Sequence, residues 1–311
     1  MSARLREKFI GAMIGSALGD AIGELAFQYH TKNALLKAVH RSSILRYTDD
    51  TAMAIGLAES LVERGDVDQE HIGERFRFNY EAEPWRGYAS GPPTIFSLVS
   101  RRNVRYVEAA RSLFGGEGSL GNGAAMRIVP VGIFFHGSNH LLEKARQSAE
   151  VTHAHPVGMD GAAIQAMAIS MAVDMDPSEA FSWPEMLNNL IKEAKTKEIK
   201  EKLTEVKNLL DQRSSPENAA RKIGRSVAVH ESMPFAIYSF LRHPESFDSC
   251  LMCAVLNGGD RDTLGAMAGA ISGAYLGIGD IPGEWISRLE NRGYIQELAT
   301  KLYTIHSGST T

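Results

Sequence analysis

Residues 9–23 read FIGAMIGSALGDAIG and residues 263–277 read TLGAMAGAISGAYLG. Glycine recurs at every fourth position in both, as Gly11, Gly15, Gly19 and Gly23 and as Gly265, Gly269, Gly273 and Gly277. On a helix that spacing places each set along one face, so each segment carries a bare stripe. An interior glycine costs a helix about 1 kcal/mol relative to alanine, and four in succession make sense only where another backbone approaches closely. The two segments, which also resemble one another, are therefore expected to be central helices packed together from opposite ends of the chain. Two copies are too few for a repeat architecture. A contact between the first and last parts of the chain predicts one domain over residues 1–311 rather than two in series.

The remaining periodicity is helical almost throughout. From Thr51, the apolar positions Met53, Ile55, Leu57, Ala58, Leu61 and Val62 follow a three-to-four spacing, with Glu59, Glu63 and Arg64 turned outward. Ala162 to Val173 carries no charge and reads as a buried helix, whereas Pro184 to Leu210 reads as a charged surface helix. Ile128 to Phe135 is the best strand candidate, but no partner of matching alternation accompanies it. The expected class is all-α, a compact domain.

Composition narrows the function. The 311 residues carry 33 Lys+Arg against 37 Asp+Glu, a formal charge of -4, with 44% hydrophobic and 23% charged residues. A strongly basic nucleic-acid binder is excluded and a packed core is expected. Cys250 and Cys253 are the two cysteines, too few for a disulfide framework, which points to a reducing, cytoplasmic setting. Arg4, Arg6 and Lys8 before Phe9 to Leu18 superficially copy a secretory leader, but the glycines and Asp20 favour an internal helix. The nearest membrane-span candidate, residues 264–278, is too short, so no membrane association is expected. No heptad run demands an oligomer, and a monomer is expected.

Carboxylates gather at helix edges: Asp20, Asp49 and Asp50 in YTDDTAM, and Asp260 and Asp262 in GGDRDTL. The simplest explanation is helix capping. Two similar clusters exceed that need, because Thr48-Asp49-Asp50 and Asp260-Arg261-Asp262-Thr263 offer four carboxylates and two hydroxyls, which would converge if the glycine helices pack. Hard oxygen donors without cysteine or an adjacent histidine suit Mg²⁺, Mn²⁺ or Ca²⁺, and shared carboxylates suit two ions about 3.5–4 Å apart. The loop GEGSLGNGAAMR, Gly116 to Arg127, supplies glycines that let backbone N–H groups reach a phosphate. Together these features suggest a phosphorylated, hydroxyl-bearing substrate.

With those residues assembled, the chain resembles the ADP-ribosylglycohydrolase family over nearly its whole length. GSALGDAIG at 15–23, YTDDTAMA at 47–54, GSLGNGAAMRI at 118–128, TH at 152–153, ESMPFAIYSFLR at 231–242 and GGDRDTLGAMAGAISGAYLG at 258–277 carry the likeness. The serine-acting branch of the animal enzymes looks closest. The resemblance implies a compact orthogonal all-α domain that removes ADP-ribose from modified acceptors, using two Mg²⁺ ions for which Mn²⁺ would substitute. Thr48, Asp49, Asp50, Asp260, Asp262 and Thr263 would be the metal ligands. Glu117, Gly118, Ser119, Leu120, Gly121, Asn122 and Gly123 would wrap the pyrophosphate and ribose with Asp49. His153 would lie on the phosphate or ribose side, and Phe114 and Val227 against adenine. Asp50 would activate water.

There are departures. The serine-acting branch carries a catalytic glutamate where this chain has Phe27, and Glu24, three residues earlier, is the candidate replacement. Arg261 stands between two aspartates where relatives carry a small residue, and it is expected to point away from them. Leu120 replaces an aromatic. Of the other signals, Cys250-Leu-Met-Cys253 reads as two core cysteines, His153-x-His155 as core or substrate-contacting histidines, and Trp85 to Pro93 as a loop at the site's rim. The rival readings are a non-catalytic ADP-ribose-binding or crystallin-like structural member of the family and, from the residues alone, a metal-dependent phosphohydrolase. Arginine, serine, O-acetyl, polymer-end and nucleic-acid-end linkages all remain open.

Overall fold

The computed structural model describes residues 2–309. It contains eighteen α-helices and two short 3-10 turns and, among the described residues, no strand, so the all-α expectation holds. The two glycine helices, Ser2–Ala26 and Arg261–Leu276, form the centre. Their register is antiparallel: Gly11 meets Gly273, Gly15 meets Gly269, Gly19 meets Gly265, and Gly23 meets the backbone of Arg261. At each crossing point a Cβ would collide with a carbonyl oxygen of the other helix. The stripes thus allow the backbones to touch, while Ile14, Leu18, Ile22, Leu264, Met267 and Ile271 on their flanks are fully buried. Helices Pro156–Asp174, Val229–Arg242 and Phe247–Leu256 pack around the second glycine helix, and Arg292–Ser309 packs on the first.

Three local expectations need correction. Val129–Phe134 is a helix, with Pro130 in its first turn and every residue buried. Its run of apolar residues reflects burial on all sides, which periodicity alone cannot distinguish from a central strand. The Pro184 to Leu210 stretch is two helices, Trp183–Glu193 and Lys197–Asp211. The chain breaks where Asp160 accepts the N–H groups of Lys195 and Thr196, each at 2.8 Å, and the Thr196 hydroxyl at 2.9 Å. Two helices, Ala3–Ala26 and Pro156–Asp174, are long and apolar enough to cross a bilayer, yet 83% and 78% of their apolar windows are buried inside the fold. The run from Phe9 to Leu18 belongs to the first of these, in the core. Cys250 and Cys253 are free and buried, with both thiols pushed up by burial.

Because the glycine helices are antiparallel, the late residues of the first lie beside the opening residues of the second. Asp20 therefore sits at the same end of the pair as Asp262 and Thr263.

Candidate active site

Asp20 is fully buried within the first helix and fastens a second element. Its carboxylate accepts the Thr48 N–H at 3.0 Å, the Thr48 hydroxyl at 2.8 Å, the Thr51 N–H at 3.1 Å and the Thr51 hydroxyl at 2.6 Å. All four donors belong to the start of helix Asp49–Arg64, where free N–H groups and the helix dipole favour negative charge. Burial raises Asp20 to about 6 even against these hydrogen bonds. Thr48 is the helix cap, its hydroxyl accepting the Asp50 N–H at 3.5 Å.

Capping explains little of the second cluster. Asp260 precedes helix Arg261–Leu276, but its side chain makes no cap hydrogen bond. It accepts instead from Asn122 Nδ2 at 2.7 Å, and Asn122 also reaches the Ser232 hydroxyl at 3.2 Å. Asp262 accepts the Thr263 N–H at 2.9 Å. The Thr263 hydroxyl donates to Asp50 Oδ1 at 3.5 Å, joining residues 213 positions apart. Asp50 is only 2% exposed, and its Oδ2 has no hydrogen-bond partner.

Asp49, Asp50, Asp260, Asp262 and Thr263 line one cavity of about 290 Å³. Burial first, then the charge of Asp20, raises Asp49 to about 7. Burial and then Asp260 and Asp20 raise Asp262 to about 8. Asp50 is held well above the carboxylate range by burial and by Asp20, Asp262 and Asp49. Crowded carboxylates with a partnerless buried oxygen form a hard-oxygen donor set that fits Mg²⁺ or Mn²⁺. Among the described residues, no three Asp, Glu, His or Cys side chains already stand in ligand geometry. The donors share one cavity without closing around a point.

The glycine loop lines the same cavity. Ser119, Gly121, Asn122 and Gly123 line the cavity with Thr152 and His153. Gly118, at φ +75°, lies so close to the Ala154–His155 backbone that a Cβ would clash. The loop is stitched to a second segment by Asn122 N–H to Val227 O at 2.8 Å and Val229 N–H to Leu120 O at 3.1 Å. Phe114 and Val227 line the same cavity while remaining 66% and 65% exposed, an apolar pair at its mouth. Gly87, Ala89, Ser90, Gly91 and Pro92 complete the rim. Arg86 holds that segment: it is buried, and its guanidinium donates to Tyr47 O at 2.9 Å, Glu290 at 2.8 Å and Glu83 at 2.7 Å.

Other expected residues lie off the lining. Thr48 turns its hydroxyl to Asp20, Glu117 and Leu120 are exposed, and Gly118 supports the loop from behind. Glu24 is exposed in the last turn of the first helix, near enough for its charge to raise Asp262, and Phe27 follows the helix end. Arg261 points away from the carboxylates, as expected, donating to Val255 O at 2.5 Å in a surface hollow shared with Arg221 and Arg225. His155 caps helix Pro156–Asp174 through Nδ1. Sequence reasoning assigned no role to Asp20, Arg86, Arg127 or Thr152. Asp20, Arg127 and Thr152 fall inside the motifs that carry the likeness, but only their buried partners reveal what they do. A wider hollow of about 590 Å³ lies elsewhere, between the terminal helices, and its cations are already engaged: Lys8 by the carbonyl of Val173 at 2.8 Å and Arg4 by Asp176.

Comparison with known proteins places the chain in a family. The family model for ADP-ribosylglycohydrolase matches residues 1–310. Human ADP-ribosylhydrolase ARH3 is 32% identical, with 99% of this chain and 96% of that protein covered. The ADP-ribosyl-[dinitrogen reductase] glycohydrolase of Rhodospirillum rubrum is 29% identical over 92% of this chain and 91% of its own length. A solved chain described as an ADP-ribosylglycohydrolase-related protein complex superposes with a TM-score of 0.68 over 98% of this chain and 99% of that one, and at 22% identity it speaks for the fold. By an end-to-end family match and a relative aligned over almost its full length, the chain belongs to the ADP-ribosylglycohydrolase family.

Proposed function

We propose that this protein is a Mg²⁺-dependent ADP-ribosylhydrolase that frees ADP-ribose from a modified acceptor, using a two-ion carboxylate centre in which Mn²⁺ can substitute. The carrying observation is the meeting of Asp49 and Asp50 with Asp260, Asp262 and Thr263 in one cavity, with Asp50 Oδ2 left without a partner. Thr48 completes the ligand set once its hydroxyl turns from Asp20. Held by these oxygens, a divalent ion would supply Lewis acidity and a fixed positive charge for the sugar hydroxyls.

The chain's own residues do the rest. Breaking the bond at the anomeric carbon builds positive charge on the sugar; the charge of Asp49, Asp50, Asp260 and Asp262 would be taken up by the ions, so the part of these side chains is to hold the metal and through it fix the sugar's position. Asn122 orients Asp260 through its 2.7 Å hydrogen bond. Asp50 Oδ2 takes the proton of the attacking water. The stretch Glu117 to Gly123 and His153 hold the pyrophosphate and ribose, and Phe114 and Val227 offer apolar surface to the base. To Glu24, open to solvent and near enough for its charge to act on Asp262, we assign the acceptor side, in place of a glutamate at Phe27. The protein acts as a cytoplasmic monomer on ADP-ribosylated molecules, without a membrane or stable nucleic-acid partner.

The test is release of free ADP-ribose from arginine-linked, serine-linked, O-acetyl and polymer substrates, with Mg²⁺ and with EDTA. Activity on at least one linkage, abolished by EDTA and reduced at least about 100-fold in Asp260→Asn, is expected. Silence on every linkage with ADP-ribose still bound would overturn the hydrolase reading.

A further inference from the structure

Arg127 heads the fully buried side chains by volume, and its hydrogen bonds go to neutral oxygens. Nη1 donates to the Gly123 carbonyl at 2.6 Å and Nη2 to the Thr152 hydroxyl at 2.7 Å, while Nε has no partner and the guanidinium lies 4.7 Å from the Phe76 ring centre. No carboxylate is in salt-bridge contact with this cation, although the charge of Asp49 acts on it, and a buried cation so weakly compensated is costly, so structural packing alone is a poor reason for it.

Its hydrogen bonds dictate the state of a neighbour. Arginine can only donate, so Thr152 Oγ1 accepts a hydrogen bond from Nη2 and its own hydroxyl hydrogen points elsewhere. The partner within reach is His153 Nδ1, 2.7 Å away. Arg127 Nη2 and His153 Nδ1 are the hydroxyl's two partners, so the arrangement that gives its hydrogen an acceptor has Nδ1 accepting and the neutral ring carrying its hydrogen on Nε2. Burial, reinforced by the Arg127 charge, brings His153 down to about 3, so the ring is neutral. Its Nε2 edge faces Gly121 and Gly123, on the cavity wall.

We propose that Arg127, acting through Thr152, is a positioning residue that locks His153 as the Nε2–H tautomer and makes it an obligate hydrogen-bond donor to an anionic oxygen at the glycine loop. The other tautomer would turn a lone pair toward that anion. Holding the Gly123 carbonyl with the same guanidinium fixes loop and ring as one unit, and a buried positive charge stands behind both. The edge thus selects acceptor groups, phosphate oxygens above all. This inference rests on the anion-binding part of the proposed function and is independent of catalysis.

Long-range ¹H–¹⁵N correlation on ¹⁵N-histidine-labelled, ligand-free protein tests it directly. Wild type should show His153 protonated on Nε2 and bare on Nδ1, without titration between pH 5.5 and 8. Thr152→Val should give a tautomer mixture and weaken ADP-ribose binding by about 10- to 100-fold, the worth of one hydrogen bond to a charged group. Thr152→Ser should restore both. A wild-type ring protonated on Nδ1, or an unchanged Nε2–H pattern in Thr152→Val, would overturn the proposal. If Thr152→Val does not fold, the wild-type spectrum decides. Because the spectrum is read without substrate, failure of the hydrolase reading leaves this result intact.

Discussion

Asp20 lies outside the cavity lining, yet the entry of helix Asp49–Arg64 depends on it. Thr48 and Thr51 each give it an N–H and a hydroxyl, so Asp20→Ala strands four donors in or near the core. Hydrogen bonds to a charged group are worth about 1.5–3 kcal/mol each, and partial solvation of Thr48 reduces the sum. A loss of about 3 kcal/mol in urea unfolding is expected, with Mg²⁺ affinity by calorimetry down about 10–100-fold as the ligands behind it loosen. A second residue-scale consequence is pH dependence. Asp49 at about 7 and Asp262 at about 8 hold protons that the unfolded chain loses near pH 4. Their contribution to stability is complete below that point and is lost as pH rises through the raised values. A divalent cation needs the deprotonated oxygens, so the Mg²⁺-induced rise in Tm should be larger at pH 8 than at pH 6, and binding at pH 7 should release protons, seen as buffer-dependent heat. An equal rise at both pH values would count against these carboxylates as ligands. The motif residues themselves could be read from the sequence, whereas the partners of Asp20 are 28 and 31 positions away and no local pattern names them.

At the scale of elements, the glycine stripes were legible because a four-residue spacing has a single economical explanation on a helix. The register was not. Gly19 opposite Gly265 and Gly15 opposite Gly269 is a fact of packing. Gly269→Ala should cost about 1–3 kcal/mol or more, since the methyl meets backbone that cannot retreat without parting the helices. Gly293, also helical, has open space where its Cβ would be, so Gly293→Ala should be neutral or stabilise by up to about 1 kcal/mol. Opposite signs for the same chemical change, read by thermal denaturation, check the contact. The break at residues 194–196 shows the reverse case: a charged, periodic stretch looked continuous because its interruption is imposed by Asp160, from another helix.

Across the whole molecule, the chain's two ends are structurally inseparable. The first helix packs against Arg261–Leu276 and Arg292–Ser309, the site's rim is tied to the C-terminal part by Arg86 to Glu290, and Leu45 N–H donates to Arg288 O at 2.8 Å. Unfolding should therefore follow one cooperative transition, with circular dichroism and tryptophan fluorescence coinciding, and the glycine-helix amides should be the last to exchange. Separated transitions would mean that the ends form independent units. The same topology makes the cavity: two acidic segments more than two hundred residues apart line it together only because the central helices run antiparallel.

Taken alone, the sequence determined the helical class, the central pair, the single domain, the donor types and the motifs that carry the family likeness. These are properties of spacing and side-chain chemistry, which a chain displays before it folds. Tertiary structure decided which oxygens share a cavity, that Thr48 caps while Asp260 does not, that Arg261 faces away, and that Arg127 reaches His153 through Thr152. Each of these depends on where a buried side chain finds a partner from a distant segment. Burial strengthens such hydrogen bonds and charges, and it is set by the packing of all the helices together.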